Sequence, residues 1–280
     1  MHFLKMHGLG NDFVVLDGRA QPVRLDRDAI LAIADRRTGV GFDQMIVLEP
    51  SRGDGGLCFM RILNADASEV DACGNATRCV GRLLLAEHEA QSVTIETNAG
   101  LLIAEADQGS RVRVDMGPAR LDWDQIPVAH EVDTLHLPVQ WNELTDPVGV
   151  GMGNPHAVFF VPNAEAIKLE DLGPVIEIHP FFPEKVNVSV ASLKADGSLR
   201  LRVWERGVGI TRACGTAACA TAVAAHRRGL TGRSATVHLD GGALDLTWRE
   251  KDGHVIMAGD TGLSFEGELS ADLVTQGSAP

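Results

Sequence analysis

Ala72-Cys73-Gly74-Asn75-Ala76-Thr77-Arg78-Cys79 is the stretch on which the reading of this chain turns, together with its later echo Ala213-Cys214-Gly215-Thr216-Ala217-Ala218-Cys219. Each sets a cysteine and a glycine at the head of an apolar run with helical spacing, CVGRLLLAEH at 79–88 and CATAVAAHRR at 219–228. A small residue precedes the cysteine, and an amide or hydroxyl side chain (Asn75, Thr216) follows the glycine. A cysteine that opens a helix lies against unpaired backbone N–H groups and the positive end of the helix dipole. That setting lowers a thiol pKa and favours the thiolate, the reactive form. Two such cysteines in matching frames, half a chain apart, call for a common explanation.

The explanation is an internal duplication. GLGNDFVV at 8–15 is answered by GMGNPHAVFF at 151–160, which aligns Asn11 with Asn154, 143 positions on. The same offset aligns Gln44 with Asn187, while Cys73 and Cys214 lie 141 apart and VDMG at 114–117 meets IMAG at 256–259 after 142. Four pairings in order, all near half the chain length, mark a repeat.

Within each half the local pattern is strand-rich. FLKMHGLGNDFVVLDG reads as a strand, a glycine-rich loop and a second strand, and LDRDAILAIADRRTG as a helix with Gly39 as its stop. FDQMIVLEP and LCFMRILNAD are strands around the turn at 51–56, and residues 92–117 hold two or three more. In the second half TLHLPVQ, HAVFFVP, NVSVASL, LRLRVWERG, ATVHLDGGALDLTWRE and HVIMAGD all read as strands. AEAIKLEDLGPVIE and the run after Cys214 read as helices. The predicted fold is α+β: two pseudo-symmetric, strand-rich domains, each with a helix whose N-terminus points into a central cleft. Their expected limits are 1–117 plus 262–280 and 118–261, with 118–127, between Pro118 and Pro127, as linker. The tail after Gly259 exceeds the repeat and is expected to return to the first half, with a loose end at TQGSAP, 275–280.

Composition narrows the function. A net charge of −13 and a pI near 5.2 argue against a nucleic-acid phosphate track. No apolar stretch approaches the ~20 residues of a membrane span, and MHFLKMHGLGNDF lacks a secretion signal's h-region, so the expected compartment is the cytoplasm. Five cysteines without a signal are expected to be free thiols. Cys73/Cys79 and Cys214/Cys219 miss the short spacing of zinc sites, so no metal is expected, and Cys58, Cys79 and Cys219 read as small buried hydrophobes. Neither GxGN segment completes a nucleotide-binding fingerprint.

Two thiols facing one bound molecule from opposite sides suit inversion of a carbon centre, one thiolate removing a proton while the other thiol delivers one. The α-proton of an amino acid is weakly acidic, so preorganised amides must stabilise charge developing on the carboxylate. None of the five lysines lies in a phosphate-cradling loop, so pyridoxal phosphate is not expected and the reaction reads as cofactor-free. A thiol redox or metal-holding protein is the non-enzyme alternative.

KMHGLGNDFVVLD, RRTGVGFDQMIVLE, MRILNADASEVDACGN, GNPHAVFFV, HPFFPEKVNV and RVWERGVGITRACGT, in that order, resemble the diaminopimelate epimerase family, from residue 3 to about 266. The resemblance implies a cofactor-independent interconversion of LL- and meso-2,6-diaminopimelate, on the route to lysine and peptidoglycan, by a homodimer. It implies Cys73 and Cys214 as the acid/base pair, with His156 and Glu205 tuning the thiols. Substrate contacts would fall to Asn11, Gln44, Asn64, Asn154, Asn187, Glu205 and Arg206, and the amides of Gly74, Asn75, Gly215 and Thr216 would hold the α-carboxylate. From the residues alone, Asn11 and Asn154 equally suit turns, Arg206 a solvated ion pair with Glu205, and His156 a satisfied polar group. Ala67, Ala76 and Ala217 stand where the family commonly has Gly, and Ile210 replaces a common Glu. A related two-cysteine racemase acting on proline or hydroxyproline is the enzymatic alternative.

Overall fold

The computed structural model describes residues 1–53 and 55–274, so the TQGSAP end and Asp54 of the expected 51–56 turn lie outside the described residues. The chain divides into two units, Met1–Val114 with the segment from Gly259 onward, and Asp115–Ala258.

In the first unit, strands His2–Gly8 and Asn11–Asp17 form an antiparallel hairpin closed by Leu9 and Gly10. Both loop residues have positive φ, 56° and 81°, which a tight two-residue hairpin turn requires. Helix α1, Arg27–Ala34, then crosses over, capped by the Asp26 carboxylate accepting from Ala29 N at 2.8 Å. Ile30 and Ile33 bury its inner face with Phe3, Leu16 and Phe42. The helix stops at Asp35 rather than Gly39, because the Asp35 carboxylate captures the N–H groups of Arg37 and Thr38. Gly39 is needed next to it: a Cβ there would lie 2.7 Å from the Ile33 carbonyl as the chain folds back over the helix end. Strand Gln44–Glu49 then runs parallel to Asn11–Asp17 and antiparallel to Phe59–Asn64. Helix α2, Gly74–Glu87, follows, and strands Ser92–Thr97, Gly100–Ala106 and Arg111–Pro118 complete a meander. The expected return of the tail is present. Strand Gly262–Glu268 pairs antiparallel with His2–Gly8, and Leu269 is buried in the core around α1.

The second unit repeats this path. Hairpin Val148–Gly151/Pro155–Phe160 leads through helix α3, Leu169–Glu177, to strand Asn187–Leu193, parallel to Pro155–Phe160, and then to antiparallel Leu199–Glu205. Helix α4, Gly215–Arg227, follows, then Ser234–Leu239, Gly242–Trp248 and His254–Asp260. The duplication holds at the level of register: Phe13 pairs with Gln44, and their 143-shifted equivalents His156 and Asn187 pair likewise.

Three elements differ from the sequence reading. TLHLPVQ is not a strand. Only Gln140–Trp141 pairs, with Leu144–Thr145, while Thr134 and Leu137 brace the hairpin through single bonds to Leu121, Gly149 and Pro147. Val148–Gly151 is the strand instead, its glycine-rich sequence permitted because a Cβ at Gly149 would press on Leu137 and Ile126 at 3.3 and 3.4 Å. The AEAIKLEDLGPVIE helix is broken, with a 3₁₀ turn at Ala164–Ala166 and α3 beginning only after Lys168, whose ψ of 74° is not helical. The segment between Pro118 and Pro127 packs into the second unit, with Ile126 fully buried beside Phe159 and Phe182.

Candidate active site

Each unit builds one cluster around its helix-opening cysteine. In the first, Cys73 is the N-cap of α2 with extended backbone, and its carbonyl accepts from both Thr77 N and Thr77 Oγ1 at 2.9 Å. Its Sγ lies 3.9 Å from Asn11 Oδ1. Asn75 Nδ2 donates to the same oxygen at 3.2 Å, Arg78 donates to Asn75 Oδ1 at 2.9 Å, and Asn11 Nδ2 donates to Asp43 at 3.0 Å. Asp43 is held by Arg36, which also grips Asp12; against the burial that would raise it, Arg36 and Lys5 hold the Asp12 carboxyl far below its usual range. Gln44 and Asn64, directly opposite across their strands, form a separate pair, with Gln44 Nε2 donating to Asn64 Oδ1 at 3.0 Å and Asn64 Nδ2 donating to Ser68 Oγ at 3.0 Å. Gln44 Oε1 is buried with no acceptor role filled.

In the second unit Cys214 is the N-cap of α4 and 6% exposed, with Sγ 3.5 Å from Thr216 Oγ1. Helix position predicts a lowered thiol pKa; the structure gives the reverse. Burial and then the Glu205 carboxylate push the Cys214 thiol well above its ordinary value, outweighing Thr216 and the Ala217 N–H. Glu205 is held in turn by the Thr211 hydroxyl. His156, fully buried, donates Nε2–H to Asn154 Oδ1 at 2.8 Å, and burial, then the Arg206 charge, hold its pKa down at about 3. It is a neutral imidazole whose bond goes to Asn154. The Asn187 amide is spent on backbone at both ends, accepting from Arg206 N at 3.0 Å and donating to the Pro155 carbonyl at 2.9 Å. Arg206 donates through Nη1 to the Glu184 carbonyl at 2.9 Å and leaves the rest of its fork without a protein acceptor among the described residues.

The first helical N–H groups, at Gly74 and Asn75 and at Gly215 and Thr216, have no carbonyl one turn back within their own helices, so both cysteines sit beside donor-rich, anion-seeking helix ends. The remaining cysteines carry no such setting. Cys58, Cys79 and Cys219 are fully buried, and burial pushes the first two up to about 11 and about 12.

Matched by family model, residues 3–121 and 148–263 fit diaminopimelate epimerase. The chain belongs to the diaminopimelate epimerase family. The unmatched span, 122–147, is the irregular segment that replaced the expected TLHLPVQ strand. A diaminopimelate epimerase from Rhodospirillum centenum is 57% identical over 99% of this chain and 95% of its own, and one from Acidiphilium cryptum is 54% identical over 97% of each. Solved structures share the fold at greater distance. A PhzF-family phenazine biosynthesis protein from Enterococcus faecalis gives a TM-score of 0.70 at 14% identity, covering 96% of this chain and 98% of that one. A hydroxyproline epimerase from Agrobacterium vitis gives 0.68 at 17%, covering 97% and 93%.

Sequence reasoning missed several members of these clusters of the epimerase fold. Arg78 was legible in principle, as a charge set among small and apolar residues at the head of the helical run. Thr211 stood inside the RVWERGVGITRACGT motif without a role. Asp43 carried no signal, because only the fold brings it against Asn11.

Proposed function

We propose that this chain is a cofactor-independent isomerase that interconverts LL- and meso-2,6-diaminopimelate, with Cys73 and Cys214 as its two acid/base groups. The observation that carries the reading is the pair of cysteine N-caps, one per unit, each followed by glycine and each at a donor-rich helix end, in a chain of this family. Inversion of an α-carbon needs a base on one face and an acid on the other. Burial and Glu205 favour the protonated form of Cys214, which suits it to deliver a proton with Cys73 as the partner group on the opposite face; once the proton has moved, the roles exchange for the reverse reaction. The amides of Gly74, Asn75, Gly215 and Thr216 take the α-carboxylate, where charge builds as the α-proton leaves.

Asn11, Gln44, Asn64 and Asn154 supply polar contacts to the reacting and distal ends, and His156 orients Asn154 rather than titrating itself. Arg206, whose fork has one protein acceptor among the described residues, clamps the distal carboxylate, and Asn187 fixes the backbone from which it projects. A proline-type substrate has no second head group for that fork, which favours the longer diacid. We further propose, on the family resemblance, a cytoplasmic homodimer; no described helix is long and apolar enough to cross a membrane.

Exchange in D2O tests the reaction and its mechanism together. From LL-diaminopimelate, first turnovers should place deuterium at the inverted centre of the meso product, while recovered LL substrate stays largely protiated. Cys73→Ala and Cys214→Ala should each abolish net epimerisation. Rapid deuterium entry into LL substrate before meso product forms would refute the two-thiol assignment.

A further inference from the structure

Arg78 is the largest fully buried side chain described, a guanidinium with no exposed surface in the first turns of α2. Burying a charge is costly, and its position has to return something. A guanidinium can only donate hydrogen bonds, and a carboxylate can only accept them. Between two such ends, Arg78 and Asp43, run two amides whose orientation neither could choose alone. Arg78 donates to Asn75 Oδ1 at 2.9 Å, which turns Asn75 Nδ2 toward Asn11. Asn75 donates to Asn11 Oδ1 at 3.2 Å, and Asn11 Nδ2 donates to Asp43 Oδ2 at 3.0 Å. Every bond in this row points the same way, and reversing any amide would set donor against donor or acceptor against acceptor. The oxygen so fixed, Asn11 Oδ1, is the one that lies 3.9 Å from Cys73 Sγ.

We infer that Arg78 is a positioning residue for the reaction: a buried donor that orients the Asn75 and Asn11 amides so that Asn11 presents an acceptor, never an N–H, to Cys73. The inference rests on the reading that Cys73 moves the α-proton. An N–H turned toward Sγ would bond the thiolate and weaken it as a base, whereas an oxygen there receives the thiol proton after abstraction. The close approach of strand His2–Gly8 belongs to the same device. A Cβ at Gly8 would lie 3.0 Å from the Arg78 fork and 3.2 Å from the Asn75 carbonyl.

Among the described residues, the second unit shows no equivalent row of bonds. At the 141-residue offset the position of Arg78 is Cys219, and at 143 residues that of Asp43 is Val186. Asn154, the counterpart of Asn11, turns its oxygen to His156. The orienting row therefore serves Cys73 and not Cys214.

Three substitutions in the full chain separate orientation from packing. Lysine is a donor only, like arginine; glutamine donates and accepts; methionine fills space. As a matter of stability, a buried lysine should be the worst tolerated, so Arg78→Gln and Arg78→Met should melt at or above the temperature of Arg78→Lys. For epimerisation the order should reverse, with Arg78→Lys within about threefold of the parent kcat/KM and Arg78→Gln and Arg78→Met reduced about tenfold or more. Activity that simply follows melting temperature across the three, or an Arg78→Gln enzyme as active as the parent, would overturn the role. Cys73→Ser, assayed beside them, keeps the two claims apart. If it still epimerises, the catalytic reading of Cys73 falls with its dependent; if it is dead while Arg78→Gln is fully active, only the role of Arg78 falls.

Discussion

Gly173→Ala should loosen the strand end that carries Glu205 and Arg206, acting through the Trp204 indole. A Cβ built on Gly173 lies 2.5 Å from Cγ and Cδ2 of Trp204 and 2.8 Å from its Cβ. Ordinary carbon contacts sit at about 3.5–4.0 Å, so the indole or the helix must give way by roughly 1 Å. The indole is not free to do so. Its Nε1 donates to Glu177 Oε2 at 2.8 Å, and the other oxygen of Glu177 accepts from Gly207 N at 3.0 Å, so one buried carboxylate pins both sides of the Glu205-Arg206 pair. Overpacking costs about 1–3 kcal/mol, and loss of the indole bond adds about 1 kcal/mol. Alanine's better helix propensity offsets about 0.8–1 kcal/mol of this. The net expectation is about 1–3 kcal/mol of destabilisation in urea unfolding, with a shift in tryptophan emission and a raised KM for diaminopimelate as Arg206 loses its place. Trp204→Leu relieves the overlap, so the double variant should be less destabilised than the sum of the singles. A Gly173→Ala protein within 0.5 kcal/mol of the parent, with unchanged emission and KM, would show that the contact is absorbed elsewhere and that the Trp204–Glu177 bracket does not hold the site.

Other outcomes follow from single observations. Ala67 sits at φ 67°, in the turn that closes on the Asn64 carbonyl, so Ala67→Gly should stabilise by about 1 kcal/mol in thermal or urea melts; destabilisation would refute the strain. Cys58 and Cys79 keep their protons up to about 11 and about 12 in the folded chain, while unfolded thiols titrate near 9. The native state therefore holds more protons above pH 9, and stability should be flat up to that point and fall beyond it, by at most about 1.4 kcal/mol per pH unit for each thiol. With no tyrosine in the chain to titrate alongside, urea melts at pH 8, 9 and 10 should show a shallower fall for Cys58→Ala, and an unchanged slope would count against it. Arg206→Met should weaken substrate binding about tenfold or more while Cys73 still reacts with a thiol reagent, and parent-like affinity would remove Arg206 from the site.

Most of the scaffold could be read from the chain because the signals were local. The apolar runs in FVVLD and MIVLE and the two Cys-Gly helix starts each act over a few residues, and they reappear as strands and helix N-termini. The errors lie where tertiary contact overrode local pattern. Val148–Gly151 became a strand through its antiparallel pairing with Pro155–Phe160, with Gly149 closely approached by Leu137 and Ile126, partners the local sequence does not reveal. The sign at Cys214 was lost for the same reason, since the dipole argument sees the helix start but not the burial or the Glu205 carboxylate brought from another strand. Two of the departures from the family pattern now have a reason. Ala76 and Ala217 are buried within the first turns of α2 and α4, where alanine favours helix over glycine. Ile210, half-exposed beside the Glu205 turn, has none.

A duplicated scaffold solves only half of an epimerisation. Repetition gives each thiol the same backbone setting, an N-cap before glycine on a helix that follows the same strand path. Under the two-thiol reading proposed above, identical settings would give the two thiols identical proton affinities, and a pair that is both thiol or both thiolate could not start the reaction. The described contacts around the two cysteines differ in kind. Beside Cys73, Arg78 and Asp43 stand at the two ends of a row of hydrogen-bonded amides. Around Cys214 a carboxylate is set directly against the sulfur, fixed by Thr211, in a buried site. Removing that carboxylate with Glu205→Gln should bring the pH midpoint of Cys214 alkylation down, because burial then acts without the added negative charge. If the midpoint does not move, the asymmetry of the pair lies somewhere other than Glu205.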